Sequence, residues 1–285
     1  MSLSPDFPRF DPNAPALAGA GIFGLPHAPN EAAVVLIPVP WEATTSYRGG
    51  TVDGPAAILA AAKQVDLFDV QTGRPYESGI AMLEESPAVR ALNEEARSAA
   101  VSVIAAGGLV NDDPLLFAAQ ARVNELGGEL NRWIEGETER LLATGKLVGV
   151  VGGDHSVSFG AIKAIARRHQ GLGILHVDAH ADLRRAYEGF AWSHASIMHN
   201  VAERLGEVSR IVQVGIRDLG EDEQKMIADA HGRIVTHFDA DLAAARFAGE
   251  TWAAQTATIV TALPREVYLS VDIDGLDPAL CPHTG

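Results

Sequence analysis

The densest group of metal-type side chains lies in the segment LHVDAHADLRRAYEGFAWSHAS, residues 175–196. Asp178, His180 and Asp182 occupy alternate positions there, directly after an apolar run that predicts a buried strand. Carboxylates this close together repel one another unless a positive charge lies between them. The spacing therefore predicts that these side chains bind a cation.

Two other predicted strands end in residues of the same kind. The strand KLVGVV runs into Asp154 and His155, and the strand EVYLSV runs into Asp272 and Asp274. Side chains two positions apart on a strand share a face, so both members of a pair can point to one place. A lone Asp-x-Asp is usually a solvated strand end, and GGDH is often a turn with a helix cap. Three such motifs at one sheet edge are hard to explain as caps.

The residue types indicate which ions would bind. Clustered carboxylates and imidazoles without cysteine suit divalent manganese, nickel or zinc. Six candidate ligands are too many for one ion with an open position, and they favour two ions about 3.5–4 Å apart. Four carboxylates would also balance the charge of two divalent ions. The candidate ligands are His155, Asp178, His180, Asp182, Asp272 and Asp274.

The elements that position these residues form a regular alternation from Lys146 onward. Five apolar strands, the last of them EVYLSVDID, are separated by predicted helices, including one long helix that ends at Ala262. Residues 32–40 predict a further strand and residues 53–65 a helix. This pattern predicts an α/β fold with three α-β-α layers and a mainly parallel sheet, whose sites lie at the carboxyl ends of the strands.

Two regions lie outside this alternation. Residues 1–31 are rich in Pro, Gly and Ala and predict an extended N-terminal arm, followed by one domain over residues 32–285. Residues 86–144 predict a helical insertion of two or more amphipathic helices. Because neither region contains ligand-spaced side chains, we predict that both serve assembly rather than chemistry.

Composition restricts the partners. The net charge of the 285 residues is -15, which disfavours nucleic acid and suits a small cationic substrate, although acidity for solubility alone is the better explanation of the charge. No apolar run approaches the roughly 20 residues of a membrane span, so no membrane partner is expected. A single cysteine, Cys281, excludes an intrachain disulfide framework and favours a cytoplasmic location.

The segments GGDHS, DAHADLR…SHAS and SVDIDGLDPALCP resemble the signature blocks of the ureohydrolases, the family of arginase, agmatinase and formiminoglutamase. The resemblance covers about residues 33–285 outside the helical insertion, and it implies the arginase-like fold and a homo-oligomer, commonly a trimer or hexamer. It also implies two divalent ions per subunit, manganese being expected and nickel the alternative. By position, one ion would be held by His155, Asp178, Asp182 and Asp272, and the other by Asp178, His180, Asp272 and Asp274, so that Asp178 and Asp272 bridge.

The chemistry that the resemblance implies is hydrolysis of a guanidino compound to urea and an amine. Two ions lower the pKa of a water, and the resulting hydroxide attacks the guanidinium carbon. Asp182 would then pass a proton to the leaving nitrogen. His194 resembles the histidine that moves protons at the mouth of the site; its alternative interpretation is a surface histidine at a helix start. Asp154 is expected to support the metal ligands.

The substrate stays open at this stage. The loop after Asp178 and the segment VPWEATTSYRGGTVDGPAAIL, residues 39–59, resemble agmatinases rather than arginases. The arm and the insertion are similar to the branch that hydrolyses guanidine itself. Guanidine, agmatine and related guanidino compounds are therefore the leading substrates, and formiminoglutamase or guanidino-acid hydrolase activity is the alternative.

Residues of the predicted pocket mouth have two interpretations each. The loop residues Arg184, Arg185, Tyr187 and Trp192 either shape the pocket or form an Arg–Glu188 surface pair and a packed aromatic. A bulky pair of aromatic residues at the mouth would favour a small closed pocket. The last candidate, Asp218, either contacts a cationic substrate or caps a helix.

Two other functions use a similar set of residues. A dimetal phosphoesterase is disfavoured because the acidic chain lacks a phosphate-cradling glycine-rich or basic loop. A structural or regulatory subunit without turnover is disfavoured by the intact ligands and His194.

In the family, a further strand follows the last block and carries a glutamate that binds the guanidinium. The sequence stops before this strand, at Gly285, and the missing glutamate favours the subunit without turnover. We therefore expect a longer natural chain, with the C-terminal end of the domain missing here.

Overall fold

A computed structural model describes residues 10–17, 19–110 and 112–283. The strands are β1 Val34–Val39, β2 Ile80–Met82, β3 Leu147–Gly152, β4 Leu172–Val177, β5 Val208–Ile216, β6 Ile234–Phe238 and β7 Val267–Val271. The α-helices are α1 Gly54–Ala61, α2 Pro87–Ala105, α3 Pro114–Leu142, α4 Ser158–Ala166, α5 Ile197–Arg204, α6 Glu221–Asp229, α7 Asp239–Phe247 and α8 Trp252–Thr261. No helix within these ranges is long and apolar enough to cross a bilayer.

Hydrogen bonds divide the strands into two sheets, with orders β2-β1-β3 and β6-β5-β4-β7. Every strand pair is parallel. The prediction of an α/β fold with parallel strands is confirmed. The expectation that all ligand-bearing strands share one sheet is wrong, because in the part of the chain described here β3 pairs only with β1 and β7 only with β4.

Burial on both faces of the strands explains the layered architecture. The neighbouring residues Ile211 and Val212 of β5 point to opposite faces, yet both are fully buried. A strand buried in this way requires cover on both sides. On one face, residues of β4 and β5 form a core with apolar residues of α4 and α5, among them Ile162 and Ile197.

The region predicted as a helical insertion forms part of the layer that covers the first sheet. Each of its two helices begins with a proline at the first position, and Asp113 caps α3 by accepting from the backbone of Leu115 at 2.8 Å. The side chains of Leu130 and Ile134 on α3 are buried against β1 and α4. A role of this region in assembly stays a prediction.

Two details differ from the sequence prediction. Strand β2 has only three residues, too few to produce a recognisable periodicity. The long helix expected to end at Ala262 is two helices, α7 and α8, because Gly249 adopts the left-handed conformation (φ 98°) that commonly ends a helix.

The part of the predicted N-terminal arm that is described contains a single short 3₁₀ turn, Ile22–Gly24, and no strand or α-helix. Its apolar residues Ile22 and Leu25 are buried. The first nine residues of the predicted arm lie outside the described ranges.

Candidate metal centre

The chain beyond β3 delivers His155 to the centre through a tight turn. Gly153 has a φ of 30°, and a Cβ there would overlap the carbonyl oxygens of Val39 and Trp41, so only glycine fits. Asp154 follows and accepts from the backbone nitrogen of Ser156 at 3.0 Å, which caps the 3₁₀ turn that starts at His155. The predicted supporting role of Asp154 is thus exerted on the backbone of the turn.

The imidazole of His155 lies among three carboxylates. Its Nδ1 is 3.0 Å from Oδ2 of Asp178, 3.0 Å from Oδ2 of Asp182 and 3.4 Å from Oδ2 of Asp272. This nitrogen is buried and has no hydrogen-bond partner among the described residues. The other ring nitrogen, Nε2, is 2.8 Å from Oγ of Ser270, which holds the ring in place. A buried nitrogen ringed by carboxylate oxygens fits a divalent cation.

A second group of ligand atoms shares Asp178 with the first. Nδ1 of His180 is 3.0 Å from Oδ2 of Asp274 and 3.7 Å from Oδ1 of Asp178. The Oδ1 atom of Asp274 also accepts from the backbone nitrogen of Ala179 at 3.1 Å. Because Asp178 contributes to both groups, the geometry suits two ions on either side of its carboxylate.

All six predicted ligands therefore converge where the carboxyl ends of β3, β4 and β7 meet. Oδ2 of Asp272 is 3.4 Å from Nδ1 of His155, and its Oδ1 accepts from the backbone nitrogen of Asp274 at 3.3 Å. Its predicted bridging role stays a prediction, because the contacts of its side chain described above lie on the His155 side.

The carboxylates do not ionise independently. Burial raises the pKa of Asp182 well above its usual value, and the nearby charge of Asp178 raises it further. Burial likewise raises the pKa of Asp272. Burial also disfavours the ionised form of Asp178, but the adjacent imidazoles of three histidines outweigh that effect and lower its pKa. The centre thus concentrates more negative charge than it can stabilise without a cation.

The two histidines among the candidate ligands hold a proton more tightly than a free imidazole does. Burial favours neutral His155, yet the adjacent carboxylates of Asp178 and Asp182 raise its pKa well above the ordinary value. Hydrogen bonds to Asp178 and Asp274 raise the pKa of His180 to about 11. Metal binding must therefore displace protons from this centre.

The backbone at Asp182 is bent to return its side chain to the centre. Its φ is 54°, a left-handed conformation that is uncommon for a residue with a side chain. The carbonyl oxygen of Asp182 accepts from the backbone nitrogens of Met198 and His199, both at 3.0 Å, at the start of α5. These otherwise unpaired helix donors hold the strained turn.

His194 begins a short 3₁₀ turn and lines the same cavity as the candidate ligands. Its ring meets that of Tyr187 edge to face, with the centroids 5.9 Å apart. Burial, together with the positive charges of His180 and His155, lowers the pKa of His194 to about 4. His194 is therefore neutral at pH 7 and able to accept a proton.

Helix α3 holds the loop that carries His194, a role that the sequence did not predict. Gln120 donates to the carbonyl of Glu188 at 3.0 Å, and Asn124 donates to the carbonyl of Gly189 at 3.1 Å. Asn124 also accepts from the backbone nitrogen of Ala191 at 2.7 Å. Two polar residues four positions apart on a helix do not predict such contacts, because the loop that they contact lies far away in the sequence.

The remaining loop residues divide between the two interpretations. Arg184 and Tyr187 line the cavity, and the guanidinium of Arg184 lies over the Tyr187 ring at 5.4 Å. Arg184 also contacts Glu223, with Nε and Oε2 3.5 Å apart, rather than Glu188 as the surface-pair interpretation required. Trp192 is the packed aromatic, since its ring lies 5.1 Å from that of Phe159 behind the loop. Arg185 is exposed.

Asp218 lies at the cavity and does not cap a helix. The N-cap of α6 is Gly220, whose backbone nitrogen donates to Glu223 at 2.7 Å. The side chain of Asp218 is 78% exposed, and its Oδ2 is 4.0 Å from Nε2 of His180. The cavity that these residues share has a volume of about 980 Å³.

One buried residue of the centre was absent from the predicted set. His176 is fully buried on β4, and its Nε2 is 2.7 Å from Oδ2 of Asp178. The spacing of the motif HVDAH carried the signal, because His176 precedes Asp178 by two positions and must share its face of the strand.

A family model and relatives of known name match most of the chain. A model of the arginase family matches residues 32–285. The chain is 33% identical over 266 residues to the N(1)-aminopropylagmatine ureohydrolase of Thermus thermophilus, covering 93% of this chain and 75% of that protein. It is 32% identical over 259 residues to the agmatinase of Bacillus anthracis, covering 90% of this chain and 72% of that protein.

Two solved structures share the fold. The agmatine ureohydrolase of Thermoplasma volcanium superposes with a TM-score of 0.65 at 24% identity, covering 90% of this chain and 72% of that one. The proclavaminate amidino hydrolase of Streptomyces clavuligerus superposes with a TM-score of 0.67 at 22% identity, covering 96% and 79%. At such low identities these two likenesses bear on the fold alone. The family match over most of the chain and the two more similar sequences together identify this protein as a member of the arginase family.

Proposed function

We propose that this protein is a binuclear-metal ureohydrolase, which cleaves a C–N bond of a guanidino compound and releases urea. The observation that carries the proposal is the buried Nδ1 of His155, surrounded by carboxylate oxygens of Asp178, Asp182 and Asp272. Membership in the arginase family supports the same reaction class.

The two ions would be held as the family resemblance implies. His155, Asp178, Asp182 and Asp272 would hold one, and Asp178, His180, Asp272 and Asp274 the other. When bound, two divalent ions lower the pKa of water enough to supply hydroxide near neutral pH. Manganese is the metal that we propose, with nickel as the alternative, because carboxylate and imidazole ligands suit both.

Two side chains of this chain are positioned to move protons. Asp182 directs Oδ2 at Nδ1 of His155, and its second carboxylate oxygen is available to pass a proton to the leaving nitrogen. His194 lines the cavity beside Tyr187, so its imidazole can exchange protons between the cavity and solvent. Both groups stay proposals for the roles that the sequence suggested.

We propose a linear guanidino amine of the agmatine type as the substrate. The cavity of about 980 Å³ exceeds what a guanidinium group alone would fill. The exposed carboxylate of Asp218 lines it and offers a partner for a second cation of the substrate. The names of the two relatives, an aminopropylagmatine ureohydrolase and an agmatinase, support this class.

A guanidino acid is the second candidate, and Arg48 favours it. This arginine also lines the cavity, with its guanidinium 5.0 Å from the centre of the Tyr47 ring, and could bind a substrate carboxylate.

Homo-oligomer formation and a cytoplasmic location remain predictions from the sequence.

The test of the function is a urea-release assay of the manganese- or nickel-loaded protein over guanidine, agmatine, arginine and 4-guanidinobutyrate. We expect the highest kcat/KM with agmatine. The Asp218→Asn substitution should lower kcat/KM for agmatine more than for butylguanidine, an analogue whose tail carries no charge. If kcat/KM is highest with 4-guanidinobutyrate and falls in the Arg48→Gln variant, the second candidate is favoured. Absence of urea from every compound would contradict the proposed function.

The shared ligand predicts unequal effects of two substitutions on metal content. Asp178→Asn should disrupt both ion positions because Asp178 contributes to both groups, whereas His180→Ala should chiefly remove one ion. Metal analysis of the folded, dialysed variants measures this difference. Two ions retained per chain in Asp178→Asn would contradict the bridging position, and two ions in His180→Ala would contradict the ligand assignment.

His194→Asn tests the proton-transfer role. We expect both ions to be retained while kcat falls by about 10²–10⁴-fold, the usual contribution of a general acid or base. Added imidazole should restore part of the rate by carrying the proton itself. The matched control is His231→Asn at an exposed position outside the cavity. A His194→Asn rate within a few-fold of the control, in folded and metal-loaded protein, would limit His194 to a structural role.

A further inference from the structure

A row of polar side chains crosses the second sheet directly beneath the candidate metal centre. Thr236 on β6, Gln213 on β5, His176 on β4 and Ser270 on β7 are paired in register. Residues in register on neighbouring strands point to the same face of a sheet. Gln213 and His176 are fully buried and Ser270 is 3% exposed, so their polar atoms need hydrogen-bond partners within the protein.

The orientation of the Gln213 amide follows from its fixed partners. Its Nε2 is 2.7 Å from the carbonyl oxygen of Ala181, which can only accept, so the nitrogen must face this oxygen. The Oε1 atom then accepts from Oγ1 of Thr236 at 2.9 Å. The second hydrogen of the amide nitrogen is left to point at Nδ1 of His176, which is 3.1 Å away.

This donor determines the tautomer of His176. Because Nδ1 accepts from Gln213, the ring proton of the neutral imidazole lies on Nε2. That N–H donates to Oδ2 of Asp178 at 2.7 Å. Both ring nitrogens are therefore occupied, and His176 has no free lone pair for a metal ion although it lies among the candidate ligands.

The same hydrogen bond determines how Asp178 presents its oxygens. Oδ2 accepts from His176, and Oδ1 accepts from the backbone nitrogen of His180 at 2.7 Å. A carboxylate oxygen has two acceptor positions, so one remains on each oxygen. Each oxygen can then face one ion, which is the arrangement that a bridging carboxylate requires.

We propose that Thr236, Gln213 and His176 form a positioning relay: Gln213, oriented by Thr236, holds His176 as the Nε2–H tautomer, and His176 orients Asp178 to bridge two divalent ions. The proposal rests on the metal centre of the proposed function but not on its substrate. The competing explanation is that the row only satisfies buried polar groups, in which case its loss would affect stability and leave metal affinity unchanged.

The experiment compares Gln213→Leu with Gln255→Leu, which removes another buried glutamine, on α8, whose amide donates to the carbonyl of Leu242 instead. Calorimetric titration of the metal-free proteins with Mn²⁺ gives the number of ions and their affinities. We expect Gln213→Leu to weaken Mn²⁺ binding about 10–100-fold, the usual effect of residues that orient metal ligands, and Gln255→Leu to leave it unchanged. Equal affinities in folded Gln213→Leu and wild type would overturn the proposal.

A second measurement needs no variant to fold. Long-range ¹H–¹⁵N spectra of histidine-labelled wild type distinguish the two tautomers by their nitrogen shifts. We expect His176, whose signals are identified by sequential assignment of the wild type, to be protonated at Nε2 in the metal-free protein. Protonation at Nδ1 would overturn the relay. Two bound Mn²⁺ ions with the expected tautomer, in a protein that releases no urea, would refute the proposed function and leave this inference intact.

Discussion

Mutual repulsion among buried carboxylates is the constraint on which the rest of this structure depends. Asp178 and Asp182 each place an oxygen 3.0 Å from the same imidazole nitrogen of His155, and Asp272 is only slightly farther away. In a buried setting this charge is costly unless a cation or protons neutralise it. The raised pKa values of Asp182 and His155 show that added positive charge is favourable here, which is why the site is suited to divalent ions.

The surrounding fold can be understood as the means of holding these groups together. Parallel strands bring Asp178 and Asp272 to the same level, because their strands pair in register up to Val177 and Val271. A turn that only glycine fits brings His155 across from the other sheet, and the start of α5 stabilises the unusual backbone of Asp182. Helix α3 then holds the loop beyond, through Gln120 and Asn124.

The sequence predicted the centre better than its surroundings. Period-two spacing at strand ends was sufficient to predict that Asp178, His180, Asp272 and Asp274 lie close together, because strand geometry is local. The contacts of Asn124 with the loop and of Gln213 with His176 join residues far apart in the chain, and only the packed structure determines them. The division into two sheets could not be predicted either, since strand pairing is also a long-range property.

Titration of the metal-free protein with Mn²⁺, carried out calorimetrically in buffers of different ionisation enthalpy, tests the central claim most directly. Because carboxylates raise the pKa values of His155 and His180, and burial raises those of Asp182 and Asp272, ion binding must release protons. Two ions per chain are predicted, with net proton release and with an affinity that rises as pH increases. Binding of no ion, or binding without proton release and with an affinity independent of pH, would contradict it.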